Sequence, residues 1–111
     1  MIEYKIKEFL KDEISPFGEW FKNLDAQAAS KVTTALYRIQ YGNFSNVKSV
    51  GSGVFEYKID FGPGYRVYFG RDGNTLIILL CGGTKKRQQR DITQAKQFWQ
   101  EYKSRRKLGE Q

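Results

Sequence analysis

Residues 76–81 read LIILLC, an unbroken apolar run that limits the folds open to this chain. A strand that is apolar on both faces lies inside a sheet with a layer on each side, because an exposed face would leave its side chains in water. We therefore expect this run to be the central strand of an α/β sheet. It is far shorter than the ~20 residues that cross a bilayer, and the start of the chain lacks a basic segment followed by an apolar stretch. These features predict a soluble, cytoplasmic protein with no membrane partner.

The N-terminal part of the chain changes from a strand pattern to a helical one. Apolar and charged residues alternate over positions 2–9, which is typical of a half-buried strand. Ser15 followed by Pro16 predicts the start of one helix, and Asp25 predicts the cap of a second helix that ends near Gly42. The helical spacing predicts that the buried side of the second helix consists of Ala29, Val32, Leu36 and Ile39. We expect these two helices to form a hairpin.

A period of two returns in the second half of the chain. Residues 44–53 are polar and contain glycine, which predicts an exposed loop. Residues 54–61 and 65–71 alternate between apolar and polar side chains and predict two strands. Asp72-Gly73 is a strong hairpin signal that leads into the apolar run. The strand 65–71 is therefore expected to pair with the strand 76–81.

The last part of the chain predicts a helix that begins after the Gly82-Gly83-Thr84 turn. The apolar stripe of this helix consists of Ile92, Ala95, Trp99 and Tyr102, which we assign to the core together with Cys81. Residues 104–111 are expected to fray. The resulting order is β-α-α-β-β-β-α, which predicts a small α/β (α+β) fold with a single domain over residues 1–111.

Composition excludes several classes of chemistry. The chain has 111 residues, one cysteine and no histidine, so an internal disulfide, a Cys/His zinc site and a Ser-His-Asp triad are all excluded. We expect neither a metal nor a cofactor. Nineteen Lys and Arg residues against twelve Asp and Glu give a net charge of +7. This charge favours a polyanionic partner, either nucleic acid or an acidic protein that masks the same surface.

Four cations are concentrated where the apolar strand is expected to open into the last helix. They are Lys85, Lys86, Arg87 and Arg90, and Asp91 is the acid near them in sequence. Backbone N–H groups at a helix start, next to positive side chains, bind phosphate. The alternative is a tight glycine turn followed by a solvated helix face. The spacing matches neither a phosphate-binding P-loop nor a dinucleotide fingerprint.

Arg66 is the second candidate for phosphate binding. Alternation places Arg66 and Tyr68 on one face of a strand that is hairpin-paired to the strand feeding the cationic segment. An arginine on such a face can bind a phosphate through two parallel hydrogen bonds. The alternative is an edge arginine that pairs with Glu56 or Asp60. Tyr68 is more simply explained as a surface aromatic than as a catalytic phenol.

The chain resembles the RelE/HigB-like toxins of bacterial type II toxin–antitoxin modules, in the branch of phage-derived or addiction-module killer proteins. The resemblance runs from about residue 2 to residue 102. Its most specific parts are GYRVYF at 64–69 and LLCGGTK at 79–85, followed by Gln88, Asp91-Ile92 and Ala95. It implies a twisted, mainly antiparallel sheet that carries helices.

The resemblance also implies an activity. Such toxins enter the ribosomal A site and cut mRNA without a metal, by attack of a ribose 2′-OH on the adjacent 3′-phosphate. Arg66 matches the strand arginine of the family and Lys85 its loop lysine, so both are implied to stabilise the charged phosphate. The remaining catalytic candidates are Lys86, Tyr68, Gln88 and Asp91. The assignment of general acid and general base stays open.

The expected partners follow from the same resemblance. They are the ribosome, its mRNA and rRNA, and a cognate antitoxin, which in this branch is often a helix-turn-helix protein from an adjacent gene. Candidate RNA contacts are Arg87, Arg90, Lys96 and Lys103, with Arg105, Arg106 and Lys107 as further cations for rRNA. Two other functions stay open: a ParE-like inhibitor of DNA gyrase, and a basic nucleic-acid-binding module without catalysis.

Overall fold

A five-stranded sheet with helices on both faces forms the framework of the protein in a computed structural model that describes residues 2–109. The elements are β1 (Lys5–Glu8), α1 (Pro16–Lys22), α2 (Ala26–Gln40), β2 (Val47–Gly51), β3 (Val54–Ile59), β4 (Tyr65–Asp72), β5 (Leu76–Thr84), a 3₁₀ turn (Lys85–Arg87) and α3 (Gln88–Lys107). The mixed α+β class predicted from sequence is confirmed.

The strand order is β1-β5-β4-β3-β2. Strand β5 lies inside the sheet as expected, since it pairs in parallel with β1 and antiparallel with β4. The middle strand, however, is β4, so the central position predicted for the apolar run is wrong. In β4 the six consecutive residues from Tyr65 to Gly70 are all buried, because helices cover both of its faces.

The two predicted helix starts are confirmed. Ser15 accepts a hydrogen bond from the Gly18 N–H at 2.8 Å, and Asp25 accepts one from the Ala28 N–H at 2.9 Å. The buried side of α2 is Ala28, Val32, Ala35 and Ile39. The predicted stripe is confirmed at Val32 and Ile39. Leu36 is partly buried and packs against the same core, whereas Ala28 is buried in place of the predicted Ala29.

The segment predicted as a loop contains an additional strand. Residues of β2 pair antiparallel with β3, and the element order is thus β-α-α-β-β-β-β-α. Strand β2 is short, mostly exposed and lies at the edge of the sheet, so it needs no run of apolar side chains. A register shift between Ser49 and Gly51 and positive φ angles at positions 51–53 make the tight turn into β3.

Two apolar layers hold the helices against the sheet. Helices α1 and α2 cover one face, where Val67, Phe69, Ile77 and Leu79 are buried. Helix α3 covers the other face, where Trp99 packs with Tyr68, Ile78 and Leu80. The start of β4, the end of β5 and the start of α3 therefore meet at one place, which contains the candidate site.

Helix α3 continues past the point at which fraying was predicted. It is helical to Lys107, and Arg105 and Arg106 at its end bond to the Leu10 carbonyl and the Asp72 carboxylate. These contacts tie residues 104–107 to the sheet side of the molecule, whereas residues 110–111 lie outside the described residues. Within residues 2–109, no helix is long and apolar enough to cross a membrane.

Candidate nucleic-acid interface

The four cations singled out by sequence form one exposed surface, which we call the cationic turn: Lys85, Lys86, Arg87 and Arg90. The first three make up the 3₁₀ turn, and Arg90 lies in the first turn of α3. None of the four forms an ion pair with another residue in the range 2–109. Arg87 at the cap of α3 makes no side-chain hydrogen bond to the helix start. The cationic turn therefore presents to a ligand positive charge that no carboxylate in the described part of the chain pairs with, at the positive end of the helix dipole.

Gly64 brings Arg66 and Lys85 together. The Gly64 carbonyl accepts a hydrogen bond from the Lys85 N–H at 2.7 Å. A Cβ on Gly64 would stand 3.2 Å from the Arg66 Nη1 atom and 3.3 Å from the Lys85 Cβ atom, and the φ of +79° at this position favours glycine. The strand arginine and the loop lysine are thus neighbours, as their places in the sequence predicted.

Arg66 is almost fully buried. Its side chain is 4% exposed, and its Nε atom lies 3.7 Å from an oxygen of Glu56, which is 1% exposed. The sequence left two roles open for Arg66, phosphate binding and pairing with a carboxylate. The structure contains the pair with Glu56. The predicted edge position is wrong, because Arg66 lies on the middle strand. Its charge is partly offset by Glu56 before any ligand arrives.

Glu56 gathers several polar side chains beneath the cationic turn. Gln88 donates a hydrogen bond from Nε2 to Glu56 at 2.7 Å, and the Lys48 ammonium lies 3.8 Å from the other carboxylate oxygen. We call Glu56, Arg66, Tyr68 and Gln88 the Glu56 cluster. Gln88, a predicted catalytic residue, therefore faces the sheet and not the solvent.

Tyr68 lies at the base of this cluster. It is fully buried, so the surface position predicted for it is wrong. Burial raises the pKa of the phenol well above its usual range, and the nearby Glu56 charge raises the pKa further. The Tyr68 hydroxyl, the Arg66 Nε and one Glu56 oxygen are buried without a hydrogen-bond partner among residues 2–109. Tyr68 has no access to a substrate in this arrangement.

Asp91 lies in the first turn of α3, where the sequence predicted a helix-start residue. Its Oδ2 atom is buried without a partner in the described part of the chain and lies directly over Gly83. Burial raises the pKa of the carboxyl, whereas the positive charges of Arg87 and Arg90 lower it. The net shift is upward. As a single carboxyl beside four cations, Asp91 can balance only part of the charge of the cationic turn.

Two lysines missed by sequence reasoning border the same face. Lys58 is the cross-strand partner of Arg66, and its side chain is 53% exposed and lies 3.7 Å from Asp60. Lys48 is the cross-strand partner of Glu56. Alternation along residues 54–61 could have placed Lys58 beside Arg66, whereas Lys48 fell in the segment predicted as a loop. Glu56 was missed as a site residue because its burial depends on α3.

The predicted RNA contacts farther along α3 have different surroundings. The Lys96 ammonium lies beside Gly51 on β2, and Lys103 lies over the Trp99 ring at 5.9 Å from its centre. Arg105 and Arg106 are engaged with Glu101 and Asp72, so they are not free for rRNA as the sequence suggested. Lys96 and Lys103 form no ion pair among residues 2–109, so positive charge without a carboxylate partner extends from the helix start along α3.

Of the core assignments near the site, Cys81, Ala95 and Trp99 are confirmed as buried, whereas Ile92 and Tyr102 are partly buried and pack against them. Trp99 stacks on Tyr102 with ring centres 5.2 Å apart, and the Tyr102 hydroxyl donates to Asp72 at 2.6 Å. Cys81 is buried, and burial raises the pKa of its thiol to about 12. Within residues 2–109, no group of three or more Asp, Glu or Cys side chains is placed to hold a metal ion.

The fold and the site define a small α+β protein with a basic surface at the start of its last helix. Residues 19–100 match the family described as phage-derived protein Gp49-like (DUF891). The chain belongs to this family, which is associated with the toxins of toxin–antitoxin modules. An uncharacterized protein of Haemophilus influenzae is 46% identical over 86 residues, which are 77% of this chain and 87% of the relative.

Proposed function

We propose that this protein is the toxin of a type II toxin–antitoxin module and acts as a ribosome-dependent mRNA endonuclease of the RelE/HigB-like kind. The observation that carries the proposal is the cationic turn, four exposed and unpaired cations at a helix start next to Arg66. Positive side chains of this kind bind RNA phosphates through charge-assisted hydrogen bonds. Family membership supports the toxin part of the proposal.

The reaction is an internal transfer at one phosphate. The ribose 2′-oxygen forms a bond to phosphorus and loses its proton, while the bond to the 5′-oxygen of the next nucleotide breaks and that oxygen gains a proton. Negative charge builds on the phosphate oxygens, and the cationic turn stabilises it. The amines of Lys85 and Lys86 are the candidates for moving protons, because both are exposed whereas the Tyr68 hydroxyl is buried.

In this proposal Arg66 acts from the buried side of the cationic turn. Its guanidinium lies against Gly64 and beside Lys85, where its charge reaches a phosphate held on the cationic turn. Lys58, its exposed cross-strand partner, extends the RNA-binding face toward β3. Arg87, Arg90, Lys96 and Lys103 contact the RNA backbone at neighbouring positions.

The proposed partners are the ribosome with its mRNA and an antitoxin, all in the cytoplasm. A chain with a net charge of +7 attracts an acidic surface, and an antitoxin that covers the cationic turn would block RNA. A helix-turn-helix protein encoded beside this chain fits that role. If charge dominates the toxin–antitoxin contact, the complex weakens as salt rises.

Primer extension on translating ribosomes tests the proposal. Wild-type protein should cut mRNA within codons, and Lys85→Gln/Lys86→Gln should lose at least about two orders of magnitude in rate, as when a main source of charge stabilisation is removed. Lys5→Gln/Lys7→Gln on β1 is the matched control, since it removes the same charge from exposed positions at the other end of β5. Intact mRNA with wild-type protein, or equal cutting by both variants, contradicts the proposal.

The Arg66–Glu56 pair favours a second candidate function. An arginine already balanced by a carboxylate suits a toxin that works by binding alone, as a ParE-like inhibitor of DNA gyrase would. A supercoiling assay separates the two: inhibition of gyrase with mRNA left intact supports the second candidate. Nucleic-acid binding without growth arrest in a bacterial host would instead support a plain binding module.

A further inference from the structure

Glu56 is a buried carboxylate that none of the proposed chemistry uses. It is 1% exposed and lies on β3 under the first turn of α3. A charge in such a place is costly unless cations and hydrogen bonds compensate it. Here one oxygen accepts from Gln88, and the other faces Arg66 and Lys48 at 3.7 and 3.8 Å. Glu56 therefore contacts side chains from three other elements.

The contact with Gln88 fixes the start of α3. Gln88 is the first residue of that helix, and the helix cap Arg87 contributes no side-chain hydrogen bond. Two hydrogen bonds join residues 85–88 to the sheet: the Glu56–Gln88 bond, and the bond from the Lys85 N–H to the Gly64 carbonyl. The next residues of α3 are held by the packing of Asp91 on Gly83 and by a hydrogen bond from the Cys81 thiol to the Asp91 carbonyl.

Three buried polar atoms of the Glu56 cluster lie close to one another without a well-formed hydrogen bond. The Glu56 Oε1, Arg66 Nε and Tyr68 Oη atoms are all buried without a partner among residues 2–109. Nearly all buried polar atoms in proteins are hydrogen-bonded, so apolar side chains at these positions would hold α3 at lower cost. The cluster joins the start of α3 to Arg66, so its polar side chains are placed to act on the cationic turn.

We propose that Glu56 is the positioning residue of this site. Through Gln88 it sets the place of the cationic turn, and through its charge it holds Arg66 in the floor of the site. The role in cleavage rests on the proposed function, whereas the role in holding the start of α3 does not. Glu56 itself does not touch RNA.

Two substitutions at Glu56 separate the effect of its charge from the effect of its side-chain length. Glu56→Gln keeps the length and an oxygen acceptor for Gln88 but removes the charge that faces Arg66. Glu56→Asp keeps the charge but is too short to hold Gln88 in place. Glu101→Gln is the matched control, because it removes a carboxylate from the exposed end of α3, where Lys11 and Arg105 pair with it.

The first measurement is cleavage of ribosome-bound mRNA per folded molecule, with folding followed by circular dichroism. Both Glu56 variants should lose about tenfold or more in kcat with KM for ribosomes changed less than about threefold, because the cations that attract RNA keep their charge and exposure while their position relative to Arg66 changes. Glu101→Gln should match the wild type. Unchanged kcat per folded molecule overturns the positioning role in catalysis.

The second measurement needs no activity. Amide hydrogen exchange over residues 85–91 should be about tenfold faster in Glu56→Asp than in the wild type, because the start of α3 loses a charge-assisted hydrogen bond. Exchange over residues 96–103 should not change. Equal exchange over residues 85–91 overturns the positioning role. If the wild-type protein leaves mRNA intact, only the proposed function is overturned. The hydrogen-exchange measurement then decides by itself whether Glu56 holds the start of α3.

Discussion

The carboxylate of Asp91 packs against Gly83, with its Oδ2 atom in the space that a Cβ at position 83 would occupy. This contact lets the first turn of α3 come down onto the end of β5. Gly82 and Gly83 lie within β5, so the turn predicted for them is wrong. Close packing explains both glycines, since Trp20 of α1 covers Gly82 from the other face in the same way. Helices on both sides of the sheet meet β5 at adjacent glycines.

Replacement of Gly83 by alanine tests this packing. The new methyl group overlaps Asp91, so α3 has to shift, and we expect the free energy of unfolding to fall by about 1–3 kcal/mol. Urea unfolding measures the change. The double variant Gly83→Ala/Asp91→Ala should recover part of the loss, because it removes the overlapping carboxylate. A Gly83→Ala protein as stable as the wild type would show that the start of α3 is free to move.

Loss of Arg66 is expected to destabilise the fold. Arg66→Met leaves the buried Glu56 charge without its guanidinium partner, and we expect a loss of about 3 kcal/mol, at the low end for a buried pair because Lys48 and Gln88 still contact Glu56. Arg66→Met/Glu56→Gln removes both charges and should regain about 2 kcal/mol. Denaturant unfolding of the three proteins gives both values.

This prediction matters for any activity assay of Arg66 variants. An inactive Arg66→Met protein is informative about catalysis only after its folded fraction is known. If the free energies of unfolding of Arg66→Met and the wild type differ by less than about 0.5 kcal/mol, the pair with Glu56 contributes no more to stability than an exposed ion pair does.

Features that depend on neighbouring residues were predictable from sequence. The caps at Ser15 and Asp25 are local, because each bonds to an amide three residues later. Strand β2 was not predicted because an edge strand has only to pair with its one neighbour, here β3. Its side chains are mostly exposed and form no apolar pattern. The burial of Glu56 and Tyr68 was missed because alternation gives a face of the sheet but not what covers it. Coverage by α3 is a tertiary contact that no spacing encodes.

Stability should depend on pH through Asp91. Burial raises the pKa of Asp91 in the folded protein, so just above pH 3.8, its ordinary value, the folded state keeps a proton that the unfolded state has released. Stability then falls as pH rises through the window that begins there. Asp91→Asn has no carboxyl to titrate at this position, so its stability relative to the wild type should increase as pH rises across the window. Urea midpoints at a series of pH values measure this difference.

Asp12→Asn serves as the control for that series, since it removes an acid from an exposed turn. A stability difference between Asp91→Asn and the wild type that is constant with pH would mean that the Asp91 carboxyl is solvated in solution.

The thiol of Cys81 should be inert in the folded protein. Alkylation requires the thiolate, and burial raises the pKa of Cys81 to about 12, against about 8.5 for a free cysteine. We expect labelling by iodoacetamide near pH 8 to be roughly three orders of magnitude slower than for a small thiol. Labelling in denaturant should be fast. Rapid labelling without denaturant would show that the region where β5 meets α3 opens readily.

The salt dependence of RNA binding should report on the cationic turn. Each phosphate contact to a single strand contributes about 0.7 to the slope of log K against log salt, so Lys85→Gln/Lys86→Gln should lower that slope by about 1.4. Fluorescence anisotropy with a labelled single-stranded RNA measures the slope. Lys5→Gln/Lys7→Gln carries the same net charge and should keep the wild-type slope, because Lys5 pairs with Leu76, at the other end of β5 from the cationic turn. Equal slopes for the two variants would mean that RNA is attracted by net charge alone and that the helix start is not its binding site.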